Sequence, residues 1–208
     1  SIAAINRPHV VRVAIDGLMA SGKTTIASEI SKELEGLGIN TIQASVDDFF
    51  NNRKTRYSRG FDSAIGCYQD TIDIDGLTDY LLKPLSPGGN GKIKKAIFDS
   101  KLDQPIESPW VETIPSDILI FEGLFLQRPE LFDYWDLRIF VKADPDVILS
   151  RALGRDIELF TNSDELISKH EKRYGPAQEI YYHDAAPETN AEIVIENNDF
   201  ENPRIVKT

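Results

Sequence analysis

The segment VVRVAIDGLMASGKTT, residues 10–25, determines the fold class that this chain is expected to adopt. Val10 to Ile15 is a short apolar run rich in β-branched residues, which is typical of a buried parallel strand. From Lys23 to about Leu37 the apolar residues follow helical spacing, and Gly36 and Gly38 are suited to ending a helix. The segment therefore predicts a strand, a glycine-containing loop and a helix in direct succession.

Further strands and helices alternate along the rest of the chain. Strands are predicted at Thr41 to Ala44, Ile118 to Phe121, Leu137 to Val141 and Ile193 to Ile195, and helices at Leu77 to Leu82, Asp146 to about Leu159 and Asp164 to Arg173. Strands that alternate with helices build a parallel sheet covered on both faces. A chain of 208 residues is short for two cores, so we expect one α/β domain spanning residues 1–208.

Charge and composition exclude several classes of partner. The formal net charge of -11 opposes non-specific binding to nucleic acid, because that affinity comes mainly from Lys and Arg. No apolar run approaches the roughly 20 residues that span a bilayer, and residues 1–8 lack the features of a secretory signal. The single cysteine, Cys67, rules out an intrachain disulfide. We therefore expect a soluble, cytoplasmic protein with no nucleic acid and no membrane partner, while homo-oligomer formation stays open.

Residues 17–24, GLMASGKT, match the phosphate-binding pattern G-x-x-x-x-G-K-[ST] between the predicted strand and helix. In such a loop, backbone N–H groups turn inward around the phosphates, and the helix N-terminus adds partial positive charge. Lys23 is expected to reach the β and γ phosphates and to act in catalysis, and Thr24 to bind Mg²⁺. The predicted ATP-binding residues are Gly17, Ala20, Ser21, Gly22, Lys23, Thr24 and Thr25.

A phosphate loop does not by itself define a reaction, because GTPases, motor ATPases and small-molecule kinases all contain one. The guanine-specificity pattern Asn-Lys-x-Asp is absent after the later predicted strands. Residues 73–76 fit the pattern Asp-x-x-Gly, but this string is too short to count. A GTPase is therefore the minority interpretation, and a nucleotide-binding regulator without phosphotransfer is a further alternative.

Acidic residues follow two predicted strands at the sheet edge where open α/β sheets bind ligands. The strand at 41–44 leads into Asp47 and Asp48, and the strand at 118–121 leads into Glu122. A kinase that acts on an alcohol needs a carboxylate to accept the hydroxyl proton, and acidic or water-mediated ligands for Mg²⁺. Asp47 fits the first need and Glu122 the second. The alternative for Asp47 and Asp48 is a helix cap or turn, a common use of Asp after a strand.

Four segments carry a family resemblance, namely DGLMASGKTT at 16–25, SVDDFF at 45–50, IFEGLF at 120–125 and DLRIFVKADPDVILSRALGRD at 136–156. In these segments the chain resembles the uridine kinase and phosphoribulokinase family of P-loop small-molecule kinases. The resemblance implies a P-loop NTPase fold, three-layered, with a five-stranded parallel core and a helical lid at about 151–175. It also implies a catalytic Asp matching Asp47, a magnesium-associated Glu matching Glu122, and lid arginines matching Arg151 and Arg155.

The basic residues of the lid region have two interpretations. Arg151 and Arg155 are four residues apart on a predicted helix, and guanidinium groups on that face can stabilise the charge of a transferring phosphoryl group. The alternative is a surface helix with ion pairs, such as one from Arg155 to Glu158. For Lys169 and Arg173 on the next helix, a solvated face is at least as good an interpretation as closure over the phosphates.

The resemblance also implies that the acceptor binds at an insertion of about residues 51–110, between Asp47 and the next core strand. The candidate substrate-binding residues are Asp48, Arg59, Tyr68, Asp73, Phe98 and Asp99. The resemblance favours a nucleoside such as uridine or cytidine as the small-molecule acceptor with a free hydroxyl. However, residues 100–102, Ser-Lys-Leu, depart from the aromatic and histidine set of nucleoside kinases. Pantothenate, glycerate, nicotinamide riboside or a sugar phosphate therefore stay open as acceptors.

Overall fold

A computed structural model describes residues 2–5, 7–156 and 162–208, except for the side chains of Arg155 and Asp156. The strands are β1 Val11–Gly17, β2 Thr41–Ser45, β3 Lys92–Ile93, β4 Phe98–Asp99, β5 Gln104–Pro105, β6 Val111–Glu112, β7 Ile118–Gly123, β8 Leu137–Lys142, β9 Ile193–Glu196 and β10 Arg204–Lys207. The α-helices are α1 Lys23–Gly36, α2 Arg53–Arg56, α3 Ala64–Asp70, α4 Ile74–Leu77, α5 Lys83–Leu85, α6 Pro129–Phe132, α7 Pro145–Asp156, α8 Ser163–Lys169, α9 Gly175–Ala185 and α10 Pro187–Asn190. Short 3₁₀ turns cover Ile2–Ala4 and Val46–Phe49, and π-helical segments cover Thr78–Leu82 and His170–Tyr174.

The main sheet has the strand order β10-β9-β8-β1-β7-β2. The five strands from β9 to β2 are all parallel, with β1 between β7 and β8. The predicted α/β fold with a five-stranded parallel core is therefore confirmed, and β10 adds an antiparallel edge strand beside β9. Because the core strands are parallel, the loops after β1, β2, β7 and β8 meet at one edge of the sheet.

Apolar side chains pack on both faces of this sheet. On one face, Ile15 of β1 is fully buried with Ile26 and Leu34 of α1. On the other face, Phe121 of β7 packs in a cluster that includes Tyr181 of α9. A strand covered on both faces needs apolar residues at successive positions, which explains the continuous apolar run that predicts β1.

The elements without a counterpart among the sequence predictions include α9 and β10. α9 begins at Gly175-Pro176, residues that usually end a helix, but here Pro lies in the first turn, and the preceding π-helical segment leads directly into it. β10 is only four residues long and exposed at every position, so it lacks the apolar signal of a core strand. The helix predicted at 77–82 is also longer, since α4, the π-helical segment and α5 run continuously over 74–85.

The segment at 51–110 is attached to the end of β2 by backbone hydrogen bonds. The N–H of Asp73 donates to the carbonyl of Phe49 over 2.8 Å, and the N–H of Ile97 donates to the carbonyl of Asp48 over 3.0 Å. Two small antiparallel pairs, β3 with β6 and β4 with β5, complete this region. None of the helices in the described part of the chain combines the length and apolarity needed to cross a bilayer.

Candidate active site

The loop between β1 and α1 requires glycine at both ends. A Cβ atom on Gly17 would lie 2.3 Å from the carbonyl oxygen of Val141 in β8. Gly22 has a left-handed backbone with φ of 95°, and a Cβ atom there would lie 2.2 Å from Nδ2 of Asn197. The two glycines of the sequence pattern therefore let neighbouring strands pack tightly against the loop.

Asp16, the last residue before the loop, ties the loop to two other elements. Its carboxylate accepts hydrogen bonds from the backbone N–H of Gly17 at 2.8 Å, from Nε2 of Gln127 at 3.1 Å and from the hydroxyl of Tyr181. Burial raises the pKa of this carboxyl, and the hydrogen bonds from Tyr181 and Gln127 oppose that shift. Sequence reasoning missed Asp16, because only the fold brings its partners together.

Asn197, just beyond β9, holds the other side of the loop. Its Nδ2 donates to the carbonyl oxygen of Ser21 over 2.7 Å, while its Oδ1 is buried without a hydrogen-bond partner among the described residues. The only sequence signal for this role is its position after the last parallel strand, at the ligand-binding edge of the sheet.

A cleft of about 560 Å³, the phosphate-loop cleft, opens beside this loop and the start of α1. Residues along its wall include Ala20, Gly22, Lys23, Thr24, Thr25 and Arg151. Lys23 is buried, and its Nζ donates to the carbonyl of Leu18 in the loop over 2.7 Å. Most of the predicted nucleotide-binding residues thus border one cleft at a helix N-terminus, an arrangement that favours binding of phosphate.

Arg151 extends from α7 into the same cleft. One Nη atom donates to the carbonyl of Asn198 over 3.1 Å, and the guanidinium lies 5.8 Å from the ring centre of Phe200. The other, Nη1, is buried and has no hydrogen-bond partner among the described residues. A buried donor without a partner is costly, so Nη1 is suited to a ligand oxygen. Arg155, the second predicted lid arginine, has a side chain outside the described residues.

The ends of β2 and β7 are joined by a side-chain hydrogen bond. The Ser45 hydroxyl donates to Oε1 of Glu122 over 2.7 Å, and its oxygen also accepts from the N–H of Asp47 at 3.3 Å. Ser45 is therefore the side-chain cap of the 3₁₀ turn Val46–Phe49, a role that the sequence alternative assigned to Asp47 or Asp48. The side chain of Asp47 is exposed at this edge of the sheet.

A groove lined by Thr24, Ser45, Asp48 and Glu122, the acidic groove, lies next to the phosphate loop. Burial raises the pKa of Asp48, and the negative charges of Glu122 and Asp99 raise it further, while Lys95 opposes them. No group of three or more His, Cys, Asp or Glu side chains positioned to hold a metal occurs among the described residues. Mg²⁺ in nucleotide sites is commonly held by one or two carboxylates together with the phosphates, and the oxygen donors of this groove fit that pattern.

Three of the predicted acceptor-binding residues make contacts within the protein. Arg59 is paired with Asp70 at 2.8 Å. Asp73 caps α4 by accepting from the N–H of Gly76 at 2.9 Å. Tyr68 is buried, and its hydroxyl donates to Asp184. These contacts stabilise the region around α3 and α4.

The other predicted acceptor-binding residues lie nearer the acidic groove. Phe98 is buried in β4, and Asp99 accepts hydrogen bonds from the N–H groups of Lys101 and Leu102, each at 2.9 Å. Asp99 is close enough to influence the pKa of Asp48. The fold thus brings Asp48, Asp99 and Glu122 together from three separate segments.

A further cavity, of about 120 Å³, is lined in part by Leu18 and Met19 of the phosphate loop. We call it the aromatic cavity, and its walls include Met19, Phe50, Arg56, Tyr57, Phe125 and Arg173. Arg173 is only 2% exposed and Lys169 only 6% exposed. The interpretation of Lys169 and Arg173 as a solvated helix face is therefore wrong, because the helix at 163–185 packs this face against the loop that follows α2.

Comparison with known proteins finds a matching family and several similar chains. The family model described as Phosphoribulokinase / Uridine kinase matches residues 12–197. A uridine kinase of Limosilactobacillus reuteri (strain DSM 20016) is 29% identical over 174 residues, covering 82% of this chain and 75% of that protein. Uridine-cytidine kinase B of Dictyostelium discoideum is 31% identical over 182 residues, covering 83% and 70%. A solved structure described as a possible uridine kinase from Bacillus stearothermophilus has a TM-score of 0.72 at 27% identity, covering 93% and 92%.

Proposed function

This chain belongs to the phosphoribulokinase and uridine kinase family, and on that premise we propose that it transfers the γ-phosphate of ATP to a hydroxyl group of a small metabolite. One observation carries the proposal. The acidic groove joins Thr24 of the phosphate-loop helix to Asp48 and Glu122 from two other strand ends. A phosphoryl-transfer site needs a phosphate cradle, oxygen ligands for a cation and a carboxylate near the acceptor, and the residues at this edge of the sheet are suited to all three roles.

The residues of the site have distinct roles in this proposal. The loop from Gly17 to Thr24 binds the phosphates through backbone N–H groups, and Lys23 neutralises the charge that develops on the transferring group. Asp47 accepts the proton of the acceptor hydroxyl and orients its oxygen. Thr24 and Glu122 would hold Mg²⁺ through their side-chain oxygens, and the cation would reduce the negative charge of the phosphates.

The lid arginines complete the proposed site. Arg151 offers its buried Nη1 to a phosphate oxygen, and Arg155 follows four residues later on the same helix. We propose that the region at about 151–175 moves as a lid that excludes water during transfer. The insertion at about 51–110 would then contribute the acceptor side of the site.

The acceptor is the least constrained part of the proposal. The names of the relatives favour a nucleoside such as uridine or cytidine, and this is the first acceptor to test. Pantothenate, glycerate, nicotinamide riboside and sugar phosphates are the alternatives. A nucleotide-binding regulator without phosphotransfer remains the competing function.

Coupled ADP release from Mg-ATP, measured across a panel of these compounds, tests the proposal. We expect turnover with one acceptor and its loss in Lys23→Ala. Lys32→Ala, on an exposed position of the same helix, is the matched control and is expected to keep full turnover. ATP binding without ADP release across the whole panel would favour the regulator instead.

A further inference from the structure

The wall of the aromatic cavity contains the half-buried guanidinium of Arg56, whose hydrogen-bond donors are only partly satisfied. Arg56 donates from Nη2 to Asp103 over 3.3 Å, and its guanidinium lies 5.5 Å from the ring centre of Phe50. Its Nε, however, is buried and has no hydrogen-bond partner among the described residues. An unsatisfied donor of a charged group is costly, so its presence in a cavity wall points to a ligand that supplies the acceptor.

A second guanidinium in the same wall makes no ion pair in the described part of the chain. Arg173 donates to the carbonyl oxygens of Ser63 at 2.9 Å and Arg56 at 2.8 Å, and to those of Gly60 and Phe61 at longer range. Carbonyl groups satisfy the donors but leave the net charge in place. The charge of Arg173 is therefore available to attract an anion in the cavity.

The other residues that line the aromatic cavity strengthen the positive electrostatic potential of its two arginines. None of its described lining residues is Asp or Glu, and most are aromatic or aliphatic. Apolar walls lower the local dielectric constant, so each charge acts more strongly than at the surface. Lys169 adds a third cation nearby, with Nζ donating to the hydroxyl of Tyr57 over 2.9 Å and lying 3.8 Å from the ring centre of Phe61.

A purely structural role explains Arg173 but not Arg56. The four carbonyl contacts of Arg173 tie the helix at 163–185 to the loop at 56–63, which is sufficient reason to bury it. Arg56 has no comparable set of hydrogen bonds, because its Nε lacks a partner among the described residues. The size of the cavity, about 120 Å³, is close to that of an engineered cavity of about 150 Å³ that holds benzene, so a carboxylate or phosphate group fits there.

We infer that the acceptor of this enzyme is a small hydroxylated anion whose carboxylate or phosphate group binds between Arg56 and Arg173 in the aromatic cavity. The inference rests on the proposed kinase function and narrows its acceptor class. A neutral nucleoside would leave Arg173 without a counter-charge and Nε of Arg56, which is already ion-paired with Asp103, without an acceptor, whereas an anionic alcohol supplies both. Because Leu18 and Met19 of the phosphate loop line this cavity, an acceptor bound there lies next to that loop.

Paired acceptors with the same skeleton test the inference by turnover. The pairs are D-glycerate and glycerol, pantothenate and panthenol, and ribulose 5-phosphate and ribulose, with uridine and cytidine as neutral nucleosides. We expect kcat/KM to be about 10- to 100-fold higher for the anionic member of the productive pair, as for loss of one charged hydrogen bond. In Arg56→Gln the KM of that acceptor rises by a similar factor while the KM of ATP is unchanged. Equal or better turnover of neutral compounds overturns the inference and leaves the kinase function standing.

Binding of simple anions decides the inference even if no acceptor in the panel is turned over. The protein is saturated with Mg²⁺ and a non-hydrolysable ATP analogue, so that the phosphate loop is filled, and its Tm is followed against acetate and against inorganic phosphate. We expect one of these anions to raise the Tm of the wild type but not of Arg56→Gln. Arg7→Gln, which changes an exposed arginine at the opposite sheet edge, is the matched control and is expected to respond like the wild type. A response to acetate identifies a carboxylate, and a response to phosphate identifies a phosphate group.

The two proposals fail in different ways. Absence of ADP release with every acceptor contradicts the proposed kinase function, whatever the anions do. Absence of any Tm shift with acetate and phosphate, or a shift that survives in Arg56→Gln, contradicts the anionic acceptor.

Discussion

The hydroxyl of Ser45 donates to Oε1 of Glu122 across 2.7 Å, and this bond joins the ends of two adjacent parallel strands. The same oxygen accepts from the N–H of Asp47, so one serine fixes both acid-bearing segments. The proposed base and the proposed magnesium ligand are thereby held in a fixed relation to each other beside the phosphate loop.

Ser45→Ala is expected to lower turnover by removing this connection. The variant loses the cap of the 3₁₀ turn, which costs about 1 kcal/mol of unfolding free energy, and it frees the carboxylate of Glu122 to change its rotamer. Measuring kcat together with the Mg²⁺ concentration for half-maximal rate separates the effects, because a misplaced Glu122 raises the Mg²⁺ requirement. Ser45→Thr, which keeps the hydroxyl, is the rescue variant. Equal kcat in the wild type, Ser45→Ala and Ser45→Thr would contradict the role of Ser45 in positioning Asp47 and Glu122.

Asp47→Asn is expected to lower kcat by about 10²- to 10⁴-fold, because an amide cannot accept the proton of the acceptor hydroxyl. ATP affinity is expected to stay close to that of the wild type, since Asp47 lies in the turn after β2 and is not among the residues that line the phosphate-loop cleft. Asp133→Asn, an exposed residue near the amino-terminal end of β8, is the matched control. An Asp47→Asn protein with normal kcat would rule out the proposed base.

Gly22→Ala is expected to abolish ATP binding. Alanine at a left-handed φ costs roughly 1–2 kcal/mol, and its Cβ would also collide with Nδ2 of Asn197, 2.2 Å away. Gly36→Ala is the matched control, because a Cβ there meets nothing within 4 Å and the position ends a helix. Titration calorimetry with ATP compares the two; comparable affinities would show that the loop tolerates the change.

Asp48→Asn is expected to stabilise the metal-free protein in a pH-dependent way. The fold raises the pKa of Asp48, so ionised Asp48 destabilises the folded state above that pKa, and the cost disappears as the pH falls through it. The gain in Tm over the wild type should therefore be larger at about pH 8 than at about pH 4.5, nearer the ordinary pKa of Asp. A difference in Tm between Asp48→Asn and the wild type that grows as the pH falls would contradict a raised pKa of Asp48.

Local sequence patterns predicted the elements whose signal is contained in a few consecutive residues. The phosphate loop and its flanking strand and helix are of this kind, because glycine positions and apolar periodicity reflect local geometry. The acids after β2 and β7 were also predictable, since parallel strands end at a common edge. Their hydrogen bond through Ser45 was not predicted, because it depends on the register between the two strands.

Contacts between distant segments account for what the sequence did not predict. Arg173 is 110 residues from Ser63, whose carbonyl it binds, and nothing in the charged run around it distinguishes burial from exposure. Asp16 and Asn197 hold opposite sides of the phosphate loop through partners far along the chain. Such residues become recognisable only when the fold shows which polar groups are buried together.

The measurement that tests the central claim most directly is transfer of the labelled γ-phosphate of ATP to an acceptor, followed by isolation of the labelled product. With Mg²⁺ present, the account predicts label on one small hydroxylated compound in the wild type, and none with Lys23→Ala or Asp47→Asn. Label that is released only as inorganic phosphate, at a rate that no acceptor changes, would contradict a kinase and indicate a nucleotide hydrolase.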